Sequence, residues 1–302
     1  MDKITQDLLS DVANLHKIPA WAFSFRENGE SKVINSSANI EIVKKTDKPG
    51  VDIYVKDNTI NESLHLPVVI TIDGIKDMVY NDFHIGKNCN IFIVAGCGIH
   101  TNKSESSHKG IHTFDIGDNS RITYIERHIG KGDAKKELSP TTVIRLGENS
   151  TFEMKTNQIS GVSLAKRTTD AFVGKNAKFI VNEKVLTEES QIADSYFNIE
   201  LSGDNSKAEV VSRVVAKGDS KQSFESKLIG KCECFGRVEC DGIIMDNAKI
   251  YSTPAIQAMH NASSLTHEAQ IGKIAGEQLL KLMTLGLTQQ EAEQEILNGF
   301  LT

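Results

Sequence analysis

An internal repeat constrains this chain more than any other feature of its sequence. Five segments share the order apolar residue, glycine, charged residue, asparagine, small residue, and the fifth copy is weaker at both ends. The repeat glycines recur with a period of about 30 residues, which is typical of a solenoid. These glycines are Gly86, Gly117, Gly147, Gly174 and Gly203. Because glycine and asparagine tolerate left-handed backbone angles, each Gly-x-Asn is predicted to form a corner.

Alternating apolar residues follow the corners, as in residues 91–94 and 179–181, and this alternation predicts strands with one buried face. One repeat has room for two strands and two corners, but it cannot cover its own apolar face. Stacked repeats do so and pair their backbone groups. The sequence therefore predicts a mainly β fold, a right-handed parallel β-helix. A β-sandwich is the rival, and it would show turn signals every 8–12 residues without the longer period.

Segments with helical periodicity flank the repeats. Residues 1–18 are predicted to form an N-terminal helix that packs as a lid, with apolar residues at 3.6-residue spacing. Residues 19–255 are predicted to be the β-helix core. The pattern changes after Pro254, and residues 256–302 are predicted to be a C-terminal helical segment. In that segment Gly286 ends a helix over 271–285, and a capping box over 288–291 starts a second.

Composition excludes several classes of function. The formal net charge of -6 argues against nucleic acid as a partner, since phosphate binding needs clustered Lys and Arg. No stretch is long and apolar enough to span a membrane. The N-terminal segment carries Asp2, Asp7 and Asp11, which argues against a signal peptide, so we expect a cytoplasmic protein. Its five cysteines are then expected to be thiols, metal ligands or buried apolar residues rather than disulfides.

The sequence contains neither a phosphate-binding P-loop nor a nucleophile elbow, so the chain is predicted not to be an enzyme or an ATPase itself. One region is rich in reactive side chains. The separation of Cys240 and Glu268 is close to one period of the repeat, which predicts that they occupy neighbouring layers and share a pocket with His267. A thiolate is a soft metal ligand, imidazole stabilises it or binds metal, and a carboxylate adds an oxygen ligand. The other residues of this region are Cys232, Cys234, Glu239, Asp241 and His260.

Plain burial is the competing interpretation of the cysteines. It is favoured for Cys232 and Cys234, whose spacing puts both on one face of a strand. It is favoured more strongly for Cys89 and Cys97. The histidines His100, His108 and His112 form a loose group in a stretch that looks like a loop, without acids or cysteines at ligand spacing, so a metal site there is disfavoured.

The C-terminal third resembles the SufB/SufD proteins of iron–sulfur cluster assembly in the SUF system. The matching segments are Glu239-Cys240-Asp241, Ser252-Thr253-Pro254, Leu265-Thr266-His267-Glu268-Ala269, Gly272-Lys273-Ile274, Glu277-Gln278-Leu279, Gly286-Leu287-Thr288, Glu291-Ala292 and Asn298-Gly299-Phe300. The match is dense here, whereas over the preceding repeats it is one of architecture.

The resemblance implies a β-helix whose C-terminal segment, residues 272–300, docks an ABC-type ATPase of the SufC kind. Two subunits would pair through their β-helices, with a transient, nascent iron–sulfur cluster near that junction. It implies that Cys240 and Glu268 are the functional residues, with His267 beside them as a third ligand, which resembles SufB more than SufD. A flavin is a further cofactor that the sequence leaves open.

This chain departs from the family in three respects. It is shorter than typical bacterial members, it lacks the N-terminal cysteine motif of longer SufB proteins, and Leu285 stands where arginine is common. These departures suggest a minimal form, which acts as a homodimer or as part of a SufB–SufD-type heterodimer.

Our main hypothesis is a cluster-assembly scaffold with its sulfur and iron site at Cys240, Glu268 and His267. A scaffold that binds the ATPase but holds no cluster, as SufD-like subunits do, is the alternative, and its signature would be a Cys240 buried away from any dimer interface. A β-helical carbohydrate-active enzyme and a simple zinc protein are the remaining alternatives; the former is disfavoured because such enzymes are usually secreted.

Overall fold

The computed structural model describes residues 2–15, 19 and 21–301, and these form a parallel β-solenoid of about eight turns with helices at both ends. The predicted mainly β fold is thereby confirmed. The strands are β1 Ala22–Glu27, β2 Glu30–Asn35, β3 Ile40–Lys44, β4 Gly50–Val55, β5 Ile60–Ile70, β6 Lys76–Ile85, β7 Asn90–His100, β8 Ser106–Ile116, β9 Arg121–Lys131, β10 Lys136–Leu138, β11 Thr141–Leu146, β12 Thr151–Ser160, β13 Leu164–Val173, β14 Lys178–Thr187, β15 Ile192–Leu201, β16 Ser206–Ala216, β17 Lys221–Gly230, β18 Cys234–Ile244, β19 Lys249–Ala258 and β20 Ser263–Gly272. The helices are α1 Lys3–Ala13, α2 Gly276–Thr284 and α3 Gln289–Phe300.

The strands form two sheets, and successive strands of the chain alternate between them along most of the solenoid. The first sheet, which we call sheet A, runs β2-β1-β5-β7-β9-β12-β14-β16-β18-β20. The second, sheet B, runs β19-β17-β15-β13-β10-β8-β6-β4-β3, with β11 beside β8 and β13. From β4 and β5 onward each strand pairs in parallel with the strand one coil later, so β18 and β20 lie at the C-terminal end of sheet A.

The corners use asparagine and glycine for different reasons. The repeat asparagines take left-handed backbone angles, as at Asn119 (φ 58°) and Asn149 (φ 58°), and their side-chain amides form a ladder in which Asn149 Nδ2 donates to Asn119 Oδ1 at 3.1 Å. The repeat glycines instead permit close approach between coils: a Cβ at Gly203 would lie 2.0 Å from the backbone nitrogen of Lys175. Each corner therefore needs both residues, one for its dihedral angles and one for the absence of a side chain.

The core lies between the two sheets and follows the strand alternation. Phe83 and Phe114 occupy matching positions on β6 and β8, and their rings stack with centroids 4.1 Å apart. Phe114 then meets Phe152 edge-on at 5.1 Å. Because each coil places an apolar residue above that of the previous coil, the stack buries large side chains without a separate hydrophobic layer.

Helix α1 packs on sheet A, as the sequence predicted for a lid. Its apolar side, with Leu8 and Val12 both fully buried, lies over β5 and β7. Gly98 of β7 allows this contact, since a Cβ there would approach Leu8 at 3.0 Å. Asp2 caps the helix by accepting from the Thr5 amide at 2.7 Å. Residues 16–18 of the predicted segment lie outside the described residues.

The solenoid continues beyond the predicted boundary at residue 255, which falls inside β19, and ends at Gly272 of β20. Pro254 lies on β19, the last strand of sheet B, where a residue without an N–H is tolerated at the free edge. The predicted helix over 271–285 is shorter than expected, because β20 occupies its start and α2 begins at Gly276. Gly286 follows α2 with a φ of 99°.

The predicted capping box is confirmed: Thr288 accepts from the Glu291 amide, and the Glu291 carboxylate accepts from the Thr288 amide. Helices α2 and α3 contact each other as a hairpin, in which Ala292 and Leu297 of α3 are buried. Over the described part of the chain, none of the helices has the length and apolar character that crossing a bilayer requires.

Candidate functional site

Cys240 lies near the C-terminal end of the solenoid with its side chain pointing into the core. In sheet A it sits in register between Ser212 of β16 and Ala269 of β20, and it is fully buried. Burial raises the pKa of its thiol to about 11, although the Ser252 hydroxyl opposes the shift. At neutral pH this thiol is therefore protonated, which makes it a poor nucleophile and a poor metal ligand until its surroundings change.

His267 shares this inner face with Cys240. It pairs with Val238 on β18, two positions before the pair that Cys240 forms with Ala269, so the thiol and the imidazole are diagonal neighbours. Burial lowers the pKa of His267 and favours the neutral ring. Its Nε2 atom is buried and makes no hydrogen bond within the described ranges, and the same holds for hydroxyls in the middle of the solenoid, such as that of Thr142. A neutral imidazole nitrogen without a partner is nevertheless the kind of atom that ligates a metal.

Glu268 points the other way, to the outer face of sheet A. It pairs with Glu239 of β18, is exposed, and lies 3.0 Å from the guanidinium of Arg237. The prediction that Cys240 and Glu268 share one pocket is therefore wrong for the single chain. The true neighbour of Cys240 is Ala269, the next residue along β20. The period of the repeat is too variable to distinguish adjacent residues, and a shift of one position along a strand moves a side chain to the opposite face.

Two further acidic side chains lie beside Glu268 on this outer face. Burial, and then the neighbouring Asp241, raise the pKa of Glu239. Arg237 bridges this group, because it also lies 2.8 Å from Glu239. Among the described residues at this end of sheet A, the outer face thus carries the carboxylates, and the inner face carries the thiol and the imidazole.

The other cysteines are buried in the solenoid core and form no disulfide. Cys234 opens β18, and Cys232 lies in the preceding turn, where its thiol donates to the Gly203 carbonyl at 3.1 Å. Cys89 similarly donates to the Lys56 carbonyl at 3.2 Å. Burial raises the pKa of Cys97 well above its usual value. These placements agree with the plain-burial interpretation that the sequence favoured for all four.

His108 and His112 are not in a loop, as the sequence suggested, but on the inner face of β8, and His100 ends β7. His108 Nδ1 lies 2.9 Å from the Asp77 carboxylate, which also accepts from Arg26 at 2.6 Å. Burial lowers the pKa of His112 to about 4, so its ring is neutral. The misassignment arose because inward polar residues interrupt the apolar alternation that identifies a strand.

A buried ionic network continues from these histidines towards Cys240, and the sequence reasoning did not find it. Arg167 donates to Glu126 at 2.6 Å and lies 3.7 Å from Glu183. Glu183 in turn accepts from Ser212 at 2.6 Å, and Ser212 is the in-register neighbour of Cys240. Each of three successive repeats has a charged residue at an inward position, and this signal could have revealed the network. Recognising an inward position, however, requires the strand register.

No group of three or more His, Cys, Asp or Glu side chains is arranged to hold a metal ion within residues 2–15, 19 and 21–301. The chain alone therefore offers only part of a ligand set at the predicted residues Cys240, His267 and Glu268. Completing it requires ligands from another molecule or a change in the last coil.

That last coil is open. Leu228 on β17 is 1% exposed, whereas Ile256, its in-register neighbour on β19, is 44% exposed because no described residue covers the next layer. Strands β19 and β20 end the two sheets, so each has one unpaired edge among the described residues. Exposed apolar side chains and unpaired backbone groups are features of an association surface.

Comparisons with known proteins place this fold in one family. The sequence profile of the SufBD core domain, described as SUF system FeS cluster assembly, matches residues 78–300. An iron–sulfur cluster assembly SufBD family protein of Archaeoglobus fulgidus is 32% identical over 228 residues, covering 75% of this chain and 61% of that protein. A SufBD family protein of Pyrococcus horikoshii is 28% identical over 280 residues, covering 89% of this chain and 83% of that protein.

The iron–sulfur cluster assembly protein SufB of Bacillus subtilis is 24% identical over 226 residues, covering 72% of this chain and 47% of that protein. A Methanothermobacter thermautotrophicus relative is covered over 53% of its length. The chain thus spans little more than half the length of several of the relatives it matches. The matched region of the profile includes β18, β20 and both C-terminal helices.

Proposed function

This chain belongs to the SufBD family of iron–sulfur cluster assembly proteins, and we propose that it is a scaffold on which sulfur and iron are assembled at the open end of its solenoid. The observation that carries the proposal is that the Cys240 thiol and the buried, unpartnered His267 Nε2 atom share the inner face of β18 and β20, the last two strands of sheet A. The cluster is the cargo of this site rather than a resident cofactor.

In this proposal the Cys240 thiolate either takes the outer sulfur of a donor's persulfide, which leaves the donor as a thiolate, or ligates the nascent cluster, and His267 is the second inward ligand. His267 lies on the end strand β20 and Cys240 lies one strand behind it, and a second molecule would close this uncovered end of the interior. A homodimer formed edge to edge through β19 and β20 would bring two such ends together, and a SufB–SufD-type heterodimer would do so with a different second chain. Strand ladders continue across such an edge with ordinary backbone hydrogen bonds.

Glu268 has a separate role in this proposal, because it lies on the other face of the same strand. Its carboxylate would receive iron at the outer rim of the junction, where it is held only by the exposed ion pair with Arg237. An exposed ion pair contributes little, so the carboxylate is easily released to a cation. Bringing it to the thiol requires a rearrangement of β20.

The proposed source of that rearrangement is an ABC-type ATPase of the SufC kind bound at residues 272–300. Helix α2 has no buried residue, and its apolar side chains Leu280 and Met283 are 63% and 40% exposed. Leu285 just after the helix is 78% exposed. These side chains form an apolar surface directly connected to β20, so movement of the hairpin would act on the last coil.

Anaerobic reconstitution with iron and sulfide tests the scaffold role. We expect Cys240→Ser to lower the yield of bound cluster by about tenfold or more, since serine is a much weaker ligand for iron than a thiolate. Cys234→Ser is the matched control, as it removes a buried thiol on the same strand and should retain most of the yield. Equal yields in the wild type and Cys240→Ser would refute the role of Cys240.

Binding of the ATPase is tested separately with Leu280→Asp. A charge on the apolar surface of α2 should weaken capture of a purified SufC-type ATPase by at least about tenfold, because an anchor of the interface is lost. Ile60→Asp, on the 58% exposed Ile60 of β5, is the control and should bind normally. Normal binding by both variants would remove the hairpin from the interface.

An accessory scaffold without a cluster is the second candidate function. The observation that favours it is that Cys240 is fully buried with a thiol pKa of about 11, while Glu268 faces the opposite side. Alkylation distinguishes the two. The scaffold predicts that Cys240 becomes reactive to iodoacetamide when the ATPase and ATP are added, and the accessory role predicts that it stays unreactive.

A further inference from the structure

The N-terminal end of the solenoid is closed by side chains that cover the outer edge of β3. Strand β3 ends sheet B, so among the described residues it has a neighbouring strand on one side only. The residues before it fold back along the other side. The Ser37 hydroxyl accepts from the Ile40 amide at 3.0 Å, and the Ser36 hydroxyl accepts from the Ile42 amide at 2.9 Å. The Ser37 amide donates to the Ile40 carbonyl at 2.8 Å, so three backbone groups that another strand would need are already used.

These three groups of β3 point away from β4, the strand with which it pairs. The Lys56 amide donates to the Asn39 carbonyl at 3.0 Å, and β3 continues from there as an antiparallel partner of β4. In such a pair every second residue bonds to the partner strand, and the residues between them direct their N–H and C=O groups to the opposite side. Counted from Asn39, Ile40 and Ile42 belong to the second set, so their backbone groups lie along the free edge.

A carboxylate from sheet A holds this covering segment in place. Glu62 on β5 accepts from the Ser37 hydroxyl at 2.6 Å and also from the side-chain amide of Asn39. Its two oxygens thus fix two residues of the segment, and they do so across the end of the solenoid, from one sheet to the other. We call residues 36–39 together with Glu62 the edge clasp. Because one side chain anchors the segment twice, removal of that side chain should release it from β3.

The other N-terminal edge, that of β2 in sheet A, is protected in a different way. Phe25 of β1 faces Val33 of β2, whereas the next residue of β1 faces Ser31. Lys32 is therefore the extra residue of a β-bulge, and its exposed side chain lies 2.6 Å from the Glu30 carboxylate. A bulge and a lysine on an edge strand both hinder pairing with a further strand. Both sheets are thus protected at the N-terminal end.

The C-terminal end has much less protection of this kind. Strand β20 pairs with β18 over all 10 of its residues without a shift of register, and it contains no proline. Strand β19 carries Pro254, which removes one backbone donor from a strand of 10 residues. Within the residues that the structure describes, no side chain bonds to the backbone of either strand as Ser36 and Ser37 bond to β3. The two ends of the solenoid therefore differ in their capacity to accept another strand.

We propose that the edge clasp prevents a second copy of this chain from stacking on the N-terminal end, so that copies join only through their C-terminal ends. This inference rests on the association through β19 and β20 proposed above. A solenoid with two open ends would add copies head to tail without limit and form a filament. A solenoid with one open end forms a closed pair instead, in which the same surface of both chains is used.

Sedimentation velocity of the full chain at rising concentration tests the clasp. The mass of the wild type should rise no further than that of a pair. Glu62→Ala should grow beyond a pair because β3 is freed, and Lys32→Thr added to Glu62→Ala should grow further because β2 then lacks its edge charge. Glu41→Ala is the matched control, since it removes an exposed acid of β3 outside the clasp and should behave as the wild type does. Circular dichroism identifies the folded variants, and Ser36→Ala with Ser37→Ala repeats the test if Glu62→Ala does not fold.

Wild-type protein added to the variants shows whether the larger species are stacked solenoids. A wild-type chain can add its C-terminal end to a filament but presents a closed end to the next copy, so it should shorten filaments seen by electron microscopy. Folded clasp variants, with or without Lys32→Thr, whose mass never exceeds that of the wild type would overturn the proposal, as would aggregates that wild-type protein does not shorten. A wild type that stays monomeric while the variants form filaments would refute the proposed pairing and support the clasp, so the two failures are distinguishable.

Discussion

The middle of the solenoid and its last coil are built from the same repeat but differ in how completely their inward side chains are covered. In the middle, Arg167 is buried between two carboxylates, and Leu228 on β17 is 1% exposed. In the last coil, Ile256, the in-register neighbour of Leu228 on β19, is 44% exposed. Stacking therefore covers a coil only when another coil follows it, so the final one is left for association.

The largest effect should come from breaking the interior network. Arg167→Met should destabilise the protein by about 3–5 kcal/mol, because Glu126 and Glu183 would remain as buried charges without a cation. The exposed pair of Arg145 with Asp115 at 3.2 Å provides the control, and Arg145→Met should cost less than about 1 kcal/mol. Urea unfolding measures both. Similar midpoints in the two variants would mean that the interior pairs are no more important than surface pairs.

Acid should weaken the middle of the solenoid through His112. Burial lowers the pKa of this residue in the folded state to about 4 from 6.5. The contribution of His112 to the free energy of unfolding is therefore complete above pH 6.5, and it is lost as the pH falls towards 4. That shift corresponds to about 3 kcal/mol. His112→Gln, which cannot be protonated, should show a smaller loss over this range in unfolding experiments at several pH values. An identical pH profile in both proteins would exclude His112 as the source.

Glycine substitutions should distinguish a closed coil from the open one. Gly203→Ala should cost about 1–3 kcal/mol, because its methyl group would overlap the backbone at Lys175. Gly272→Ala, at the end of β20, should be nearly neutral since no atom lies within 4 Å of the added methyl group. Thermal unfolding reports both changes. A large loss at Gly272 would indicate that the last coil is covered after all.

The smallest effect is expected in the C-terminal hairpin. Thr288→Ala removes the side chain that caps α3 and should destabilise that helix by about 1 kcal/mol. The change should appear as faster hydrogen exchange over Gln289–Phe300, with the solenoid strands unaffected because few residues of α3 are buried. Faster exchange throughout the solenoid would contradict this separation of the hairpin from the core.

The repeat made the fold predictable, and its variable length limited prediction of the site. Gly203 and Asn119 correctly predicted corners, and the alternation of apolar residues between the corners predicted the strands. The residue that faces Cys240 depends on the length of each coil, and the step from Ser212 to Cys240 is one residue shorter than the step from Cys240 to Ala269. Spacing alone cannot specify whether a coil contains an odd or an even number of residues, and this number decides the face on which a side chain lies. Glu268 was therefore predicted on the wrong face.

Buried charges were missed for a related reason. Arg167 and Glu183 occupy inward positions of strands that otherwise alternate apolar and polar residues, and a charged residue at such a position looks like an interruption rather than a partner. The solenoid boundary was placed too early because Pro254 resembles a terminator, although a free edge accepts it. Both errors concern the pairing of strands in three dimensions. The sequence repeat alone does not specify that pairing.

Hydrogen exchange across the last coil shows whether β20 is an association edge. If β20 is an association edge, the amides of Ser263–Gly272 that lack a partner in one chain should become protected as protein concentration rises, in step with a doubling of the mass measured by sedimentation. Such concentration-dependent protection is the expected result. Contradiction would come from amides that exchange at the unprotected rate at every concentration, with the ATPase present or absent.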